Sequence, residues 1–370
     1  MYWHIILTEK CNSQCKYCYE KSMNDFDNDL DKKFKFDFSS PCDIGIDMQK
    51  LKEFILQDKN PVIIFYGGEP LLKIDNLKEI MDLFGDSVRY CMQTNGRLLD
   101  TVPKEYINRF SRILVSIDGD VERTDYNRGV GTYELILDNI QFIRENGFKG
   151  EIIARMTISF SDLFEQVKHL IDLKEFDSVH WQIDAGFYKN DFNEREFRQF
   201  VDEYNKSLSK LINFWVDEMK KNKGVLKLYP LLGIFETYYY GKTSRLRCGA
   251  GHAGYTITTK GDITACPIMN NITDFYTGNL DSKIEDLKKF NVDGRCKKCT
   301  YKRICGGRCL YFNKAKLWPE KGQDMICETV IHLIRSIRDK MPEIKDLIKK
   351  GIVNEKDFEY EKYFGPEIIP

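Results

Sequence analysis

From Met1 to about Asn190, short runs rich in β-branched and aromatic residues alternate with longer stretches whose apolar residues recur at helical spacing. That alternation predicts βα units around a parallel sheet. Six strands can be read: Tyr2 to Thr8, Val62 to Tyr66, Val88 to Gln93, Ile113 to Ile117, Ile152 to Thr157 and Val179 to Ile183. Helices fall between them, for example Met48 to Leu56 and Tyr133 to Asn146, the second stopped by Gly147. Six such units make an α/β fold with a partial (β/α)6 parallel barrel. A barrel of this kind gathers its chemistry on the loops after the C-terminal strand ends.

Period-two alternation sorts the strand faces. His180, Gln182 and Asp184 share one face of the sixth strand, and Val179, Trp181 and Ile183 the other; on the fifth, Arg155 and Thr157 oppose Ala154 and Met156. The apolar faces are expected against helices, which leaves a polar interior suited to a substrate. Beyond the barrel, Phe197, Phe200, Tyr204, Leu208, Leu211, Ile212 and Trp215 recur at helical spacing within Phe192 to Lys223, a long amphipathic bridge. The aromatic run Phe235 to Tyr240 ends at Gly241, where Gly and Cys become frequent. Thr256-Ile257 and Gly261 to Thr264 read as a small hairpin presenting Cys266. A closing helix is predicted from Glu328 to Lys350, then a polar tail. The expected division is a core over 1–190, a helical bridge over 191–247, a cysteine-rich domain over 248–327 and a C-terminal helix and tail over 328–370.

A chain of 370 residues exceeds one small core. Its net charge of -1 comes with acids and bases intermixed, so no basic tract argues for nucleic acid or a membrane surface. With neither a signal-peptide pattern nor an apolar run near about 18 residues, a cytoplasmic location is expected. In a reducing compartment, twelve cysteines, most at short spacings, read as metal ligands rather than disulfides.

The first strand runs into a polar loop bearing Cys11, Cys15 and Cys18. Three soft thiolates on one loop suit an iron–sulfur cube, each reaching one corner iron and leaving the fourth iron open. Zinc is the alternative, but a structural zinc site takes four ligands and this loop has no fourth Cys or His. Later strand ends carry Gly67-Gly68-Glu69-Pro70, Gln93-Thr94-Asn95-Gly96 and Ser116-Ile117-Asp118-Gly119. Paired glycines let backbone approach a ligand closely, and Glu69 could hold an ammonium. Asn95 and Asp118, each before Gly, also suit turns. Cys42 and Cys91 read as free, non-ligand thiols.

Cys11-x3-Cys15-x2-Cys18, with Tyr17 before the last cysteine, resembles the signature of the radical S-adenosylmethionine (radical SAM) superfamily, and Gly67-Gly68-Glu69 resembles its GGE motif. The resemblance implies a [4Fe–4S] cluster on the three cysteines, its open iron chelated by the methionyl amine and carboxylate of SAM. Tyr17 would lie near the adenine and Gly67, Gly68 and Glu69 at the methionyl amine, with further cofactor contacts at Asn95, Ser116, Arg128 and Gln182.

Seven later cysteines resemble the SPASM domain, the auxiliary-cluster module of radical SAM enzymes that modify peptides. Cys248 is followed by twelve residues, Gly261, four residues and Cys266; then come Cys296-x2-Cys299-x5-Cys305-x3-Cys309 and, after seventeen intervening residues, Cys327. The resemblance implies two auxiliary [4Fe–4S] clusters, three in all. One would sit on Cys296, Cys299, Cys305 and Cys327, the other on Cys248, Cys266 and Cys309. A zinc ribbon is the alternative for the segment from Cys296 to Cys309. Family members whose second auxiliary cluster is fully protein-ligated carry an extra Cys near the position of Cys248, absent here. One iron would then be open to water, a carboxylate or a substrate thiolate, the last favoured by Arg245 or Arg247 nearby; a local Asp, Glu or His completing the cluster is the alternative. The first strand begins at Tyr2, so an N-terminal peptide-recognition domain is not expected and leader recognition would come from elsewhere.

The resemblance implies an enzyme that abstracts a hydrogen from a peptide through a 5′-deoxyadenosyl radical and installs a thioether or carbon–carbon crosslink in a ribosomal peptide. Electrons would come from a low-potential donor such as ferredoxin or flavodoxin. Formylglycine formation of the sulfatase type is disfavoured, because that subgroup has Asp after its second SPASM cysteine and this chain has Pro267. A SPASM enzyme maturing a small-molecule cofactor precursor and a non-catalytic iron–sulfur electron-transfer protein are the alternatives.

Overall fold

The structure, a computed structural model, describes residues 1–19 and 30–363. The last residues of the expected C-terminal segment 328–370 therefore lie outside the described residues. Two compact units divide the chain: Met1–Arg155 with Gly249–Phe290, and Met156–Cys248 with Asn291–Pro370. The architecture is mixed α/β, a partial parallel barrel built from alternating strands and helices.

In the first unit β1 (Tyr2–Ile6) pairs in parallel with β2 (Val62–Tyr66), which is followed by β3 (Arg89–Thr94), β4 (Phe110–Ser116) and β5 (Glu151–Ile158). β4 begins three residues before the expected Ile113. On the other side of β1 lies β7 (Gly254–Ile257), also parallel, with Tyr2 opposite Gly254 and Ile5 opposite Ile257. β8 (Asp262–Thr264) and β9 (Tyr276–Asn279) follow antiparallel. The expected hairpin is present, and it continues the barrel sheet through β1. Helices α1 (Met48–Ile55), α2 (Ile74–Phe84), α3 (Val121–Arg128) and α4 (Thr132–Glu145) connect the strands. Asp47 caps α1 by accepting from the backbone N–H of Gln49 at 2.8 Å and of Lys50 at 3.1 Å. Fully buried Trp3 meets Phe54 of α1 edge-on at 5.0 Å. Alternation then turns His4 and Ile6 to the other face, where His4 meets Tyr66 edge-on at 5.6 Å.

The second unit holds the end of β5, α5 (Leu163–Leu173), β6 (Ser178–Ile183), α6 (Glu194–Asn222), α7 (Tyr229–Tyr239) and α8 (Glu320–Lys349). The expected bridge is α6, capped by the Asn193 side chain. Buried Trp181 of β6 donates its indole N–H to Tyr204 of α6 at 2.9 Å, so the apolar face of this strand does meet a helix. The aromatic run from Phe235 ends α7, eight of whose eleven residues are buried, so no polar stripe marks it as a helix. α8 starts eight residues earlier than expected and carries Cys327. Gly322 in its first turn accommodates the rings of Phe192 and Trp318, which a side chain there would strike. No helix among the described residues is long and apolar enough to cross a membrane.

Candidate active site

The loop carrying Cys11, Cys15 and Cys18 is held by side chains and backbone from three strand ends. After β2, Gly68 N–H donates to Thr8 O and Glu69 N–H to Lys10 O, each at 2.8 Å. A methyl group on Gly67 or Gly68 would overlap the carbonyl oxygens of Thr8 and Lys10, and Gly67 has φ +148°. The paired glycines thus let the strand end ride on the cysteine loop itself. Glu69 is fully buried and accepts from Leu71 N–H at 3.1 Å, Thr94 Oγ1 at 2.8 Å and Asn95 N–H at 2.7 Å. Burial pushes its carboxyl up to about 7, against those three donors. Its carboxylate ties the end of β2 to the end of β3. Asn95 donates its side-chain N–H to Asn12 Oδ1 at 2.7 Å and Ser13 Oγ at 3.1 Å, with Cys11 Sγ at 3.8 Å.

After β4, Asp118 organises the second anchor. It is 2% exposed and accepts from Tyr17 OH at 2.6 Å, Asn127 Nδ2 at 3.2 Å, Arg128 Nε at 3.0 Å and Arg128 Nη2 at 2.9 Å. The Arg128 guanidinium also lies 5.3 Å from the Tyr17 ring centre. Burial pushes the Tyr17 phenol up, so it remains a donor. Burial opposes the Arg128 charge, yet Asp118 and then Tyr17 and Cys15 hold its pKa above the usual guanidinium value. Lys16 N–H donates to Asn127 O at 2.9 Å. Tyr17 and Arg128, both expected at the cofactor, thus meet through Asp118, whose place before Gly119 also suited a turn.

A pocket of about 240 Å³ opens beside this loop, bounded by Ile6, Glu9, Tyr19, Gly67, Pro267 and Asn270 among others. In the second unit a separate pocket of about 300 Å³ brings together Cys296, Cys299, Cys305 and Cys327, with Arg295 and Arg308 on its walls. Burial pushes the Cys305 thiol up to about 11. Arg308, 6% exposed and held at φ +55°, has its guanidinium 4.8 Å from the Phe312 ring centre.

Of the other expected residues, Ser116 ends β4 opposite Arg155, and Gln182 is half-buried near the end of β6. His180 is fully buried. Cys248 and Cys309 belong to the second unit and Cys266 to the first. Cys42 is exposed, and Cys91 is buried 3.4 Å from Ser111 Oγ. The Arg247 guanidinium donates to Ile304 O at 3.0 Å, Gly233 O at 2.9 Å and Thr237 Oγ1 at 2.6 Å, stapling α7 to the Cys296–Cys309 stretch.

None of the twelve cysteines forms a disulfide. Among the described residues no three His, Cys, Asp or Glu side chains converge on a single-ion site. A cubane spreads its thiolates over separate irons and needs no such convergence, so three thiols on a braced loop, and four around a pocket, fit that group.

Residues 5–173 match the family model described as the radical SAM superfamily. The cysteine-type anaerobic sulfatase-maturating enzyme of Clostridium perfringens is 23% identical over 329 residues, covering 81% of this chain and 85% of that one. The radical SAM cyclopropyl synthase TigE of Paramaledivibacter caminithermalis is 23% identical over 378 residues, covering 92% of this chain and 74% of that one. Among solved structures, native anSMEcpe with bound AdoMet and Cp18Cys peptide has a TM-score of 0.69 at 18% identity, over 94% of this chain and 99% of that one. These likenesses extend the shared fold across nearly the whole chain.

Proposed function

Because the chain carries a radical SAM domain, whose cofactors are a [4Fe–4S] cluster and SAM, we propose that it modifies peptides, forming a thioether or carbon–carbon crosslink in a ribosomal peptide. The observation that carries this reading is the braced three-thiol loop beside an open pocket, in a chain that also gathers four cysteines around a second pocket. The peptide bound in the solved anSMEcpe structure supports the substrate class.

Cys11, Cys15 and Cys18 would hold the SAM-binding cluster. Cys296, Cys299, Cys305 and Cys327 would hold one auxiliary cluster, and Cys248, Cys266 and Cys309 another. When bound, these groups supply an electron that splits SAM into methionine and a 5′-deoxyadenosyl radical, and an acceptor for the electron left by substrate oxidation. The chain's own residues do the positioning. Gly67, Gly68 and Asn95 fix the loop at the ends of β2 and β3, and Asp118 and Arg128 fix Tyr17 beside it. These contacts hold the loop and Tyr17 in place, which limits the reorganisation left for the reaction.

The test is anaerobic reconstitution with iron and sulfide, then reduction in the presence of SAM and short peptides encoded next to this gene. The expected result is 5′-deoxyadenosine together with a peptide lighter by two hydrogen atoms. Radical formation with every peptide unchanged and a small molecule altered would favour a cofactor-precursor substrate. Failure of the loaded, reduced protein to cleave SAM would leave only the electron-transfer alternative.

A further inference from the structure

The pocket beside the cysteine loop holds one amide oxygen that the fold leaves unmatched and one carboxylate that accepts from the Asn270 and Asn271 side chains but meets no cation among the described residues. Asn270, 9% exposed, donates its Nδ2 to Glu9 Oε1 at 2.6 Å and approaches Asn271 Oδ1 at 3.4 Å. Its Oδ1 is buried with no hydrogen-bond partner. Turning the amide over would set that oxygen against the Glu9 carboxylate, so the chemistry fixes its orientation. Tyr276 OH donates to the Asn270 backbone carbonyl at 3.0 Å and steadies the residue.

Half-buried Glu9 has no ion-pair partner among the described residues. The neighbouring lysines are spent elsewhere: Lys10 and Lys73 on Asp43, and Lys260 on Asp37 and Asp262. Ile6, Pro267 and Ile268 add an apolar wall to the same pocket. A buried acceptor without a donor and a sheltered carboxylate without a cation are both unfavourable, and one ligand relieves both. That ligand is an N–H-bearing cation on an apolar stem.

We propose that this pocket receives a cationic side chain of the peptide substrate, its charged head held between the Glu9 carboxylate and Asn270 Oδ1 and its methylenes along Pro267 and Ile268. The inference rests on the peptide-modifying reading above. Gly67 and Gly68 line the same pocket, so a seated side chain keeps the adjoining peptide residue beside the loop of Cys11, Cys15 and Cys18 and sets which residue reacts.

The α-ammonium of SAM offers the same chemistry, and the test separates the two sources. Equilibrium dialysis of the cluster-loaded protein compares Nα-acetyl-lysine N-methylamide with its norleucine counterpart, with and without saturating SAM. The lysine probe should bind about tenfold more tightly or better, as expected for a charge-assisted hydrogen bond. SAM should not displace it. Glu9→Gln and Asn270→Leu should each abolish the preference for lysine; if one fails to fold, judged by iron content and circular dichroism, the other decides. Equal binding of the two probes, a preference that survives either folded variant, or displacement of the lysine probe by SAM would overturn the proposal. Wild-type protein that cleaves SAM but ignores the lysine probe contradicts this inference alone; protein that cannot cleave SAM contradicts the reading beneath it.

Discussion

Cys11, Cys15 and Cys18 lie on one short loop whose bracing comes from outside it, through Asn95 after β3 and through Asp118 and Arg128 after β4. Around the pocket of the second unit, Cys296, Cys299 and Cys305 come from one stretch and Cys327 from a helix, with four bases (Arg295, Lys302, Arg308 and Lys316) and two acids (Asp293 and Glu320) among the described residues of its walls. Three thiols leave a cubane one open iron, and whatever binds there must be positioned by neighbouring groups. Four thiols close the coordination, and the remaining physical need is counter-charge for an anionic cluster. On the proposed reading, this difference would put the chemistry at the loop and electron handling at the pocket.

The largest expected effect breaks the first half of that comparison. Cys15→Ala should bring SAM cleavage to background, read as 5′-deoxyadenosine by chromatography; retained cleavage would move the chemistry elsewhere. Next, Cys299→Ala, if folded, should keep uncoupled SAM cleavage and lose modified product, and equal loss of both would erase the division of labour.

Stability sharpens the contrast further. Arg128→Met leaves the buried Asp118 carboxyl without its guanidinium partner, which should cost about 3–5 kcal/mol in denaturant unfolding. A pH effect of similar size belongs to Glu69. Its folded carboxyl titrates at about 7 and its unfolded one at the ordinary 4.5, so the folded state binds more protons between those values. Stability of the cluster-free protein should therefore fall as pH rises through that window, by roughly 3 kcal/mol from this group, and Glu69→Gln should remove that slope. The smallest change is expected at the pocket rim. Arg295 pairs with Asp324 at an exposed position, 46% and 59% accessible, and Arg295→Met should cost less than about 1 kcal/mol.

The alternation of β-branched runs with amphipathic stretches made the parallel barrel legible, and cysteine spacing made both thiol sets legible. What stayed hidden depends on tertiary placement. α7 is buried on nearly every side and so lacks the period that marks a helix. β7 belongs to the expected hairpin, but its parallel pairing with β1, far earlier in the chain, has no local signal. Asp118 before Gly119 has the local signature of a turn, and only α3, ending at Arg128, turns it into the anchor of Tyr17. Glu9 and Asn270 are 261 residues apart, beyond any spacing argument. The backbone carbonyls that hold Arg247 likewise leave no trace in sequence.

Iron and acid-labile sulfide, counted per chain after anaerobic reconstitution of wild type and the Cys299→Ala variant, test the two-site account most directly. Three cubanes predict about twelve of each in the wild type and about eight in the variant, with SAM cleavage unaltered. About four iron in the wild type, stoichiometric zinc, or an unchanged iron count on removing Cys299 would contradict the assignment of a separate auxiliary site.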